Sequence, residues 1–431
     1  MSFVLLGILN SQAAGGGAGS VYRFQIIGDT QTDLGVALSD SSGSGVYSGW
    51  TTGSGSSLES GYVASVAADG TENWSRTLRS STTKVVNFAG QALDTSGNIY
   101  IAARTSDLPS IPQYVLLAVK YDSSGSIQWQ KALHNSGLNP ENYNGIVDSS
   151  GNFILVGADG TNDAIITKYN SSGGLVFQKL LDFGGTNFLY NVTTDSSGNI
   201  YVVGFGGEMK NEPVVAKLNS SLVLQWARAI DINGRGYGIA VDSSGNVYFC
   251  GRSESADYAF LAKLNSSGTL QWQKKMNGSS TSNQFWDLKI DSNNDILVTG
   301  RVFSTSNGAP LVKFDSSGNV VYQRFIRKAS TTIEGRSLKL DANENPMLGG
   351  YAAGSVSYDF FGAVVPSDGS LTGSYTLDSA TIEYIVSSFT IATSTYTFYD
   401  VTPAVTSGSL SQLTPTLVDD AGTLPISSVT L

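Results

Sequence analysis

The stretch "DSSGNVYFCG", Asp242 to Gly251, decides how the rest of the chain is read. It crowds a carboxylate, hydroxyls, a glycine and an amide ahead of an apolar run, a mixture that suits either a ligand loop or a corner between strands. Asp fits the first position of a type I turn, where its carboxylate accepts from backbone N–H groups just ahead, and glycine fits the left-handed position that follows. Such a turn joins two antiparallel strands through a glycine bulge. The flanks agree with a corner. Tyr237, Ile239 and Val241 alternate with Gly238 and Ala240 before Asp242, and Trp286, Leu288 and Ile290 alternate with Asp287 and Lys289 before Asp291, a period of two.

The stretch recurs. Copies begin at Asp40, Asp94, Asp148, Asp195, Asp242, Asp291 and Asp341, separated by 54, 54, 47, 47, 49 and 50 residues. A second motif follows each copy, as in "KYDSSGSIQWQK" from Lys120, "KYNSSGGLVFQK" from Lys168, "KLNSSLVLQWAR" from Lys217, "KLNSSGTLQWQK" from Lys263 and "KFDSSGNVVYQR" from Lys313, with weaker copies near Asp69 and Asp368. Each unit therefore encodes two hairpins, or four antiparallel strands. Four-stranded units repeated at this period predict an all-β fold, a seven-bladed β-propeller whose blades bury both faces against their neighbours.

The pattern D-S-S-G-N-[VI]-Y-V-x-G resembles the bacterial propeller repeat of the SBBP type, and the resemblance covers roughly residues 20–377. The second motif also resembles the tryptophan-docking strand of quinoprotein propellers, in Asp122 to Trp129 and Asn265 to Trp272 for example. The blade number and the lack of a vicinal cysteine pair depart from that enzyme family. Under either resemblance Trp74, Trp129, Phe177, Trp226, Trp272 and Tyr322 are outer-strand packing residues.

The ring also has to close. "GSVYRFQII", Gly19 to Ile27, matches "GNVVYQRFI", Gly318 to Ile326, and so reads as a surplus outer strand that pairs into the blade of Asp341; the rival closing strand is "GSYTLDS" near Tyr375. Three regions follow: an apolar N-terminal anchor and Gly-rich hinge over 1–18, the propeller over 19–377, and a C-terminal extension over 378–431, expected as an irregular tail or small β appendage. The anchor residues are Phe3, Val4, Leu5, Leu6, Ile8 and Leu9. Their apolar run is far shorter than the roughly 20 residues that span a bilayer, so no membrane span is expected.

Composition excludes several functions. With a net charge of -10 the chain offers no basic footprint for nucleic acid. Cys250 is the single cysteine and His134 the single histidine, so no intrachain disulfide and no metal site or relay needing two imidazoles can form. The turn aspartates lack the spaced ligand set and distal Glu of a calcium loop. No catalytic residue, metal or cofactor is expected, and the chain is expected not to be an enzyme.

Recognition is better supported. The near-identical turns fall on one face, so the differing connections fall on the other, where a rigid scaffold usually carries binding. Trp50, His134 and Tyr143 are the candidates there. The series Tyr143, Tyr190, Tyr237 and Trp286, each five residues before its turn Asp, shares parity with core positions and is expected to pack inward. "GILNSQAAGGG", from Gly7, resembles N-termini of marine phage structural proteins. That resemblance implies a virion component of tail or fibre type, held to other virion proteins through the N-terminal segment and facing a host-surface glycan or protein. A secreted or cell-surface bacterial binding module and a quinoprotein-like enzyme are the alternatives.

Overall fold

A computed structural model describes residues 6–9, 22–27, 33–39, 45–52, 59–67, 72–79, 86–105, 114–134, 141–255, 257–277, 283–302, 308–328, 332–353, 358–370, 372–377, 380–386, 390–393, 398–400, 404–407, 411–413, 418–421 and 428–430. Among these residues every regular element is a strand, and the strands form seven sheets, one per repeat. In blade 5, Gly234–Val241, Val247–Ser253, Ala259–Leu264 and Leu270–Asn277 pair antiparallel in chain order from the axis outward. Inner strands of successive blades lie against one another around the ring, that of blade 7 against that of blade 1 included. The chain is a seven-bladed β-propeller.

The repeated corner forms as its chemistry requires. Asp242 Oδ1 accepts from the amides of Ser244 (2.9 Å) and Asn246 (2.8 Å), and Oδ2 from the Asn246 carboxamide (2.8 Å) and the Tyr248 hydroxyl (3.2 Å). Gly245 donates to the Asp242 carbonyl at 2.9 Å with φ 78°, a conformation that glycine adopts without steric cost. The core lies between blades. One layer joins Ile154, Val156 and Ile166 of blade 3 to Val192, Val202 and Leu218 of blade 4, and equivalent layers follow at the other described junctions.

Blade 7 comprises Thr332–Leu340, Pro346–Ala353 and Tyr358–Val364, and its fourth strand is Tyr22–Ile27, paired antiparallel with Arg23 opposite Val364 and Ile27 opposite Phe360. "GSYTLDS" goes elsewhere: Gly373–Leu377 forms a hairpin with Ala380–Val386, which adds to the outer strand Val320–Lys328 of blade 6.

The C-terminal extension is neither a loose tail nor a separate appendage. After Ala380–Val386, Thr390–Thr393 pairs onto the outer strand of blade 5, Phe398–Asp400 onto blade 4, Ala404–Ser407 onto blade 3, Ser411–Leu413 onto blade 2 and Val418–Ala421 onto blade 1. The chain thus runs back around the disc in reverse blade order and supplies an extra strand to the outer edges of blades 6 to 1. Exposed edges invite pairing with other chains, so this strap covers the surface that propellers otherwise protect only by keeping edge strands short. It is also tied in by side chains: Tyr384 is 1% exposed within the layer between blades 6 and 7, and Arg327 is ion-paired with Glu383.

The strap closes on the N-terminal segment. Ser428–Thr430 pairs parallel with Leu6–Leu9, which itself adds antiparallel to Tyr22–Ile27. Of the expected anchor, Leu6, Ile8 and Leu9 therefore have their backbone in the sheet of blade 7, while Phe3, Val4 and Leu5 lie outside the described residues.

Candidate functional site

The turn face offers no open chemistry among the described residues. Each described turn Asp accepts from the backbone amides two and four residues ahead, and in five of the six a tyrosine hydroxyl or a lysine adds to them. Where the repeat has Tyr, the hydroxyl reaches the aspartate, as from Tyr100 (3.2 Å), Tyr201 (3.0 Å) and Tyr248 (3.2 Å), and the second-motif lysine lies over the ring. Where the repeat has Ile154 or Leu297 instead, the lysine reaches the aspartate directly, Lys168 to Asp148 and Lys313 to Asp291 at 2.7 Å each. For Asp195, burial raises the pKa, but the bonds from Asn199, Tyr201 and the Ser197 amide outweigh it and hold the carboxyl below its ordinary value. These carboxylates are structural acceptors with their lone pairs occupied.

The second motif is equally committed. The indole of Trp74, Trp129, Trp226 and Trp272 donates to the carbonyl of Ser123, Ser171, Ser266 and Ser316 in the next blade at 2.9–3.1 Å. Each ring lies on the left-handed glycine of that turn, Gly125, Gly173, Gly268 or Gly318, so tightly that a Cβ there would come within about 3 Å of it.

The other end of the axis differs. The inner strand of each blade from 2 to 7 carries a register shift, and the residue left out of the ladder stands five positions before the turn Asp: Ala89, Tyr143, Tyr190, Tyr237, Trp286 and Arg336. A bulge breaks the alternation of side chains and re-aims the extra residue. The inward packing expected from parity is therefore corrected: Tyr237 is buried, but Tyr143, Tyr190, Trp286 and Arg336 remain half-buried and meet one another around the axis. Ring centroids lie 4.6 Å apart for Tyr143 and Tyr190, 5.0 Å for Tyr190 and Tyr237 and 4.2 Å for Tyr237 and Trp286, and the Arg336 guanidinium sits 3.8 Å from the Trp286 centroid.

The last glycine of the repeat makes this arrangement possible. A Cβ on Gly204, Gly251, Gly300 or Gly350 would stand 1.8–2.0 Å from the carbonyl oxygen of Phe188, Arg235, Gln284 or Glu334, the residue two before the bulge. "DSSGNVYFCG" thus ends on the residue that lets Tyr237 leave the ladder. An isolated glycine inside a strand pattern signals a bulge or a close backbone approach, and that is the sequence signal by which the arc could have been found.

Charge gathers beside the aromatic arc. On blade 5, Glu254 Oε1 is ion-paired with Arg235 (2.9 Å from Nε) and accepts from Arg252 Nη2 (2.6 Å), and Arg235 Nη1 donates to the Tyr190 hydroxyl at 3.0 Å. Across blades 6 and 7, Glu334 pairs with Arg301 and, at 2.9 Å, with Arg336 Nε, while Arg336 Nη2 donates to the Tyr351 hydroxyl at 3.1 Å. Glu334 is 1% exposed, whereas Arg235 and Arg336 each keep 31% of their side-chain surface. Tyr237 sits among Arg252, Arg235, Arg336 and Glu254, and burial pushes its hydroxyl pKa up.

Of the sequence candidates, Tyr143 is the one whose side chain is described, and it belongs to this arc. Trp50 lies within the strand Gly45–Thr52, opposite Leu34 and Gly61, rather than in a loop; its repeat position, just after Gly49, equals that of Phe205, Arg252, Arg301 and Tyr351. His134 ends the outer strand Ile127–His134 of blade 2, at the rim. The side chains of Trp50 and His134 lie outside the described residues. The four arginines and two glutamates were missed, although Arg336 occupies the repeat position of the four aromatics.

Fold and blade chemistry define the class, a seven-bladed β-propeller with docked aromatic outer strands. Within it, the family model described as Beta-propeller repeat matches residues 229–259. No curated protein matches the sequence. Among solved structures the chain is similar to a Bacteroides caccae protein of unknown function (16% identity, TM-score 0.40, 68% of this chain and 93% of that one). It is also similar to the periplasmic gluconolactonase of Pseudomonas aeruginosa (12%, 0.46, 78% and 97%) and to a Trypanosoma rangeli sialidase mutant (12%, 0.42, 78% and 54%).

Proposed function

We propose that the chain is a non-enzymatic recognition protein of a phage particle, with the arc end of the propeller axis as its ligand-binding surface. One observation carries this reading: two repeat positions that differ in chemistry from blade to blade, five before the turn Asp and one after the final Gly, come together in an arc from Tyr143 to Arg336 with Phe205 and Tyr351 beside it. Positions held constant by the scaffold and varied only where they converge are the mark of a site grafted on a fold. The site's two glutamates each lie at ion-pair distance from two guanidiniums, and the half-buried aromatic rings supply contact area at low entropy cost.

Attachment to the particle runs through the rim at blade 7, where Leu6–Leu9 and Ser428–Thr430 meet. The acidic, Ser/Thr/Gly-rich composition suits a protein that works outside the cell. The test is direct. Purified particles are expected to contain the intact chain, and the full-length protein is expected to bind host envelope fractions and to compete with particle adsorption. Absence from particles overturns the phage setting, and absence of envelope binding overturns recognition.

A further inference from the structure

Resting on the recognition reading, we infer that the arc end binds an anionic saccharide, a sugar ring bearing a carboxylate or sulfate, with the ring against the half-buried Trp286 and the oxyanion against Arg235 and Arg336. The charge count carries the inference. Each glutamate at the site is shared by two arginines: Glu254 by Arg235 and Arg252, and Glu334 by Arg301 and Arg336. Taken by itself, each Arg–Glu–Arg group carries two positive charges and one negative, in a chain whose net charge is -10. Excess charge in a partly desolvated site favours a matching counter-ion, and a guanidinium presents its N–H groups in a planar fork suited to oxyanions.

Geometry supplies the other half. The two cationic groups flank the closest ring pair, Tyr237 and Trp286 at 4.2 Å, and Tyr237 lies in the field of Arg235, Arg252 and Arg336 together. Both guanidiniums nearest the rings are pre-positioned, Arg336 by the Trp286 face and the Tyr351 hydroxyl, Arg235 by the Tyr190 hydroxyl and, 4.8 Å from its centroid, the Phe205 ring. Their side chains lose little freedom when a ligand arrives. Aromatic faces meet the C–H surface of a sugar ring, while fixed cations meet its acid group. A bare inorganic anion would use only the second feature and a neutral sugar only the first.

The experiment is calorimetric titration of the full-length chain with oligogalacturonate, a sialylated oligosaccharide and a sulfated galactan oligosaccharide, each beside its methyl-esterified or desulfated counterpart. At least one acidic member is expected to bind, with the carboxylated and sulfated arms separating the two sources of charge. Removing the acid group is expected to weaken binding roughly tenfold or more. Arg235→Gln and Arg336→Gln are expected to do the same. Arg336→Lys keeps the charge without the fork and is expected to fall between, with thermal melting confirming that each variant is folded. Equal binding of acidic and neutral members overturns the inference, as does wild-type binding by the Gln variants or binding to none of the panel. Envelope binding that persists after the envelope glycans are neutralised, or that is lost to protease alone, overturns the ligand class and leaves recognition standing; loss of all envelope binding removes both.

Discussion

The rim and the hub of this propeller are built from the same repeat and put to opposite uses. At the rim, outer strands carry one recurring contact, an aromatic ring on the next blade's glycine with its indole N–H on a serine carbonyl, and the strap covers the remaining edge. At the hub, equivalent positions of successive blades hold Ala89, Tyr143, Tyr190, Tyr237, Trp286 and Arg336. Repetition at the rim gives blades 1, 2, 4 and 5 the same contact with the next blade. Variation at the hub costs the scaffold little, because a bulged residue has already left the ladder and its side chain is free to differ.

The largest effect should come from the strap. Tyr384 is the most buried of its described side chains, and Tyr384→Ala is expected to cost roughly 3–5 kcal/mol, the usual range for emptying a large aromatic site, read as a lowered urea midpoint. Ligand binding at the hub should survive in the fraction that remains folded. If Tyr384→Ala melts like the parent chain, the strap is ornamental and the rim is held by docking alone.

Next is the one residue that belongs to both regions. Gly251→Ala places a Cβ 1.9 Å from the Arg235 carbonyl oxygen, so the inner strand has to shift or lose its bulge, at a cost of roughly 1–3 kcal/mol as for other overpacked sites. The same change should displace Tyr237 from Trp286, seen as altered tryptophan fluorescence, and weaken hub binding more than its stability loss explains. Gly318→Ala, at the rim, should lower stability and change the fluorescence of Trp272, which lies on it, without weakening hub binding beyond its stability loss.

The turn carboxylates come third. Asp195→Ala leaves the amides of Ser197 and Asn199 without their acceptor and is expected to cost roughly 1–3 kcal/mol. Asp195→Asn should cost less, since Asn170, Asn219 and Asn265 fill the same place in the second motif. Asp94, Asp148 and Asp195 all have folded pKa values held below the ordinary one, burial opposing but hydrogen bonds prevailing. A depressed carboxyl contributes stability that is fully present above the unfolded-state pKa and is lost as pH falls through the folded value. Melting temperature should therefore hold near neutrality and drop below about pH 4, with a shallower acid slope in Asp195→Asn.

The rim was far more legible in the sequence than the hub. Turn chemistry is local: Asp, Gly and the alternating flank of "DSSGNVYFCG" specify a corner without reference to anything distant, and repetition multiplies the signal. The closing strand was readable for the same reason, since Tyr22 to Ile27 copies an outer strand. The hub depends on a bulge, and one inserted residue reverses the parity from which Tyr237 and Trp286 read as core. The strap was illegible because its strands are only 3–7 residues long, carry no repeat and take their conformation from the edges they cover.

The smallest expected effect tests whether rim contacts are truly paired units. Blade 3 departs from the rule by carrying Phe177 where blades 1, 2, 4 and 5 have an indole, and the facing turn of blade 4 departs with it: Leu222, at φ 62°, replaces the glycine. Leucine in that conformation carries strain that glycine would avoid, roughly 1 kcal/mol, and its side chain shares a buried layer with Phe177. The smaller ring leaves room that the leucine fills. Phe177→Trp alone should clash with Leu222, and Leu222→Gly alone should leave a void, each lowering stability. The double variant restores the arrangement of the other blades and should recover most of the loss, with a coupling energy of roughly 1 kcal/mol or more. Additive single effects would mean that the ring and the turn residue vary independently, and that the rim's uniformity is inherited repetition rather than a contact each blade requires of the next.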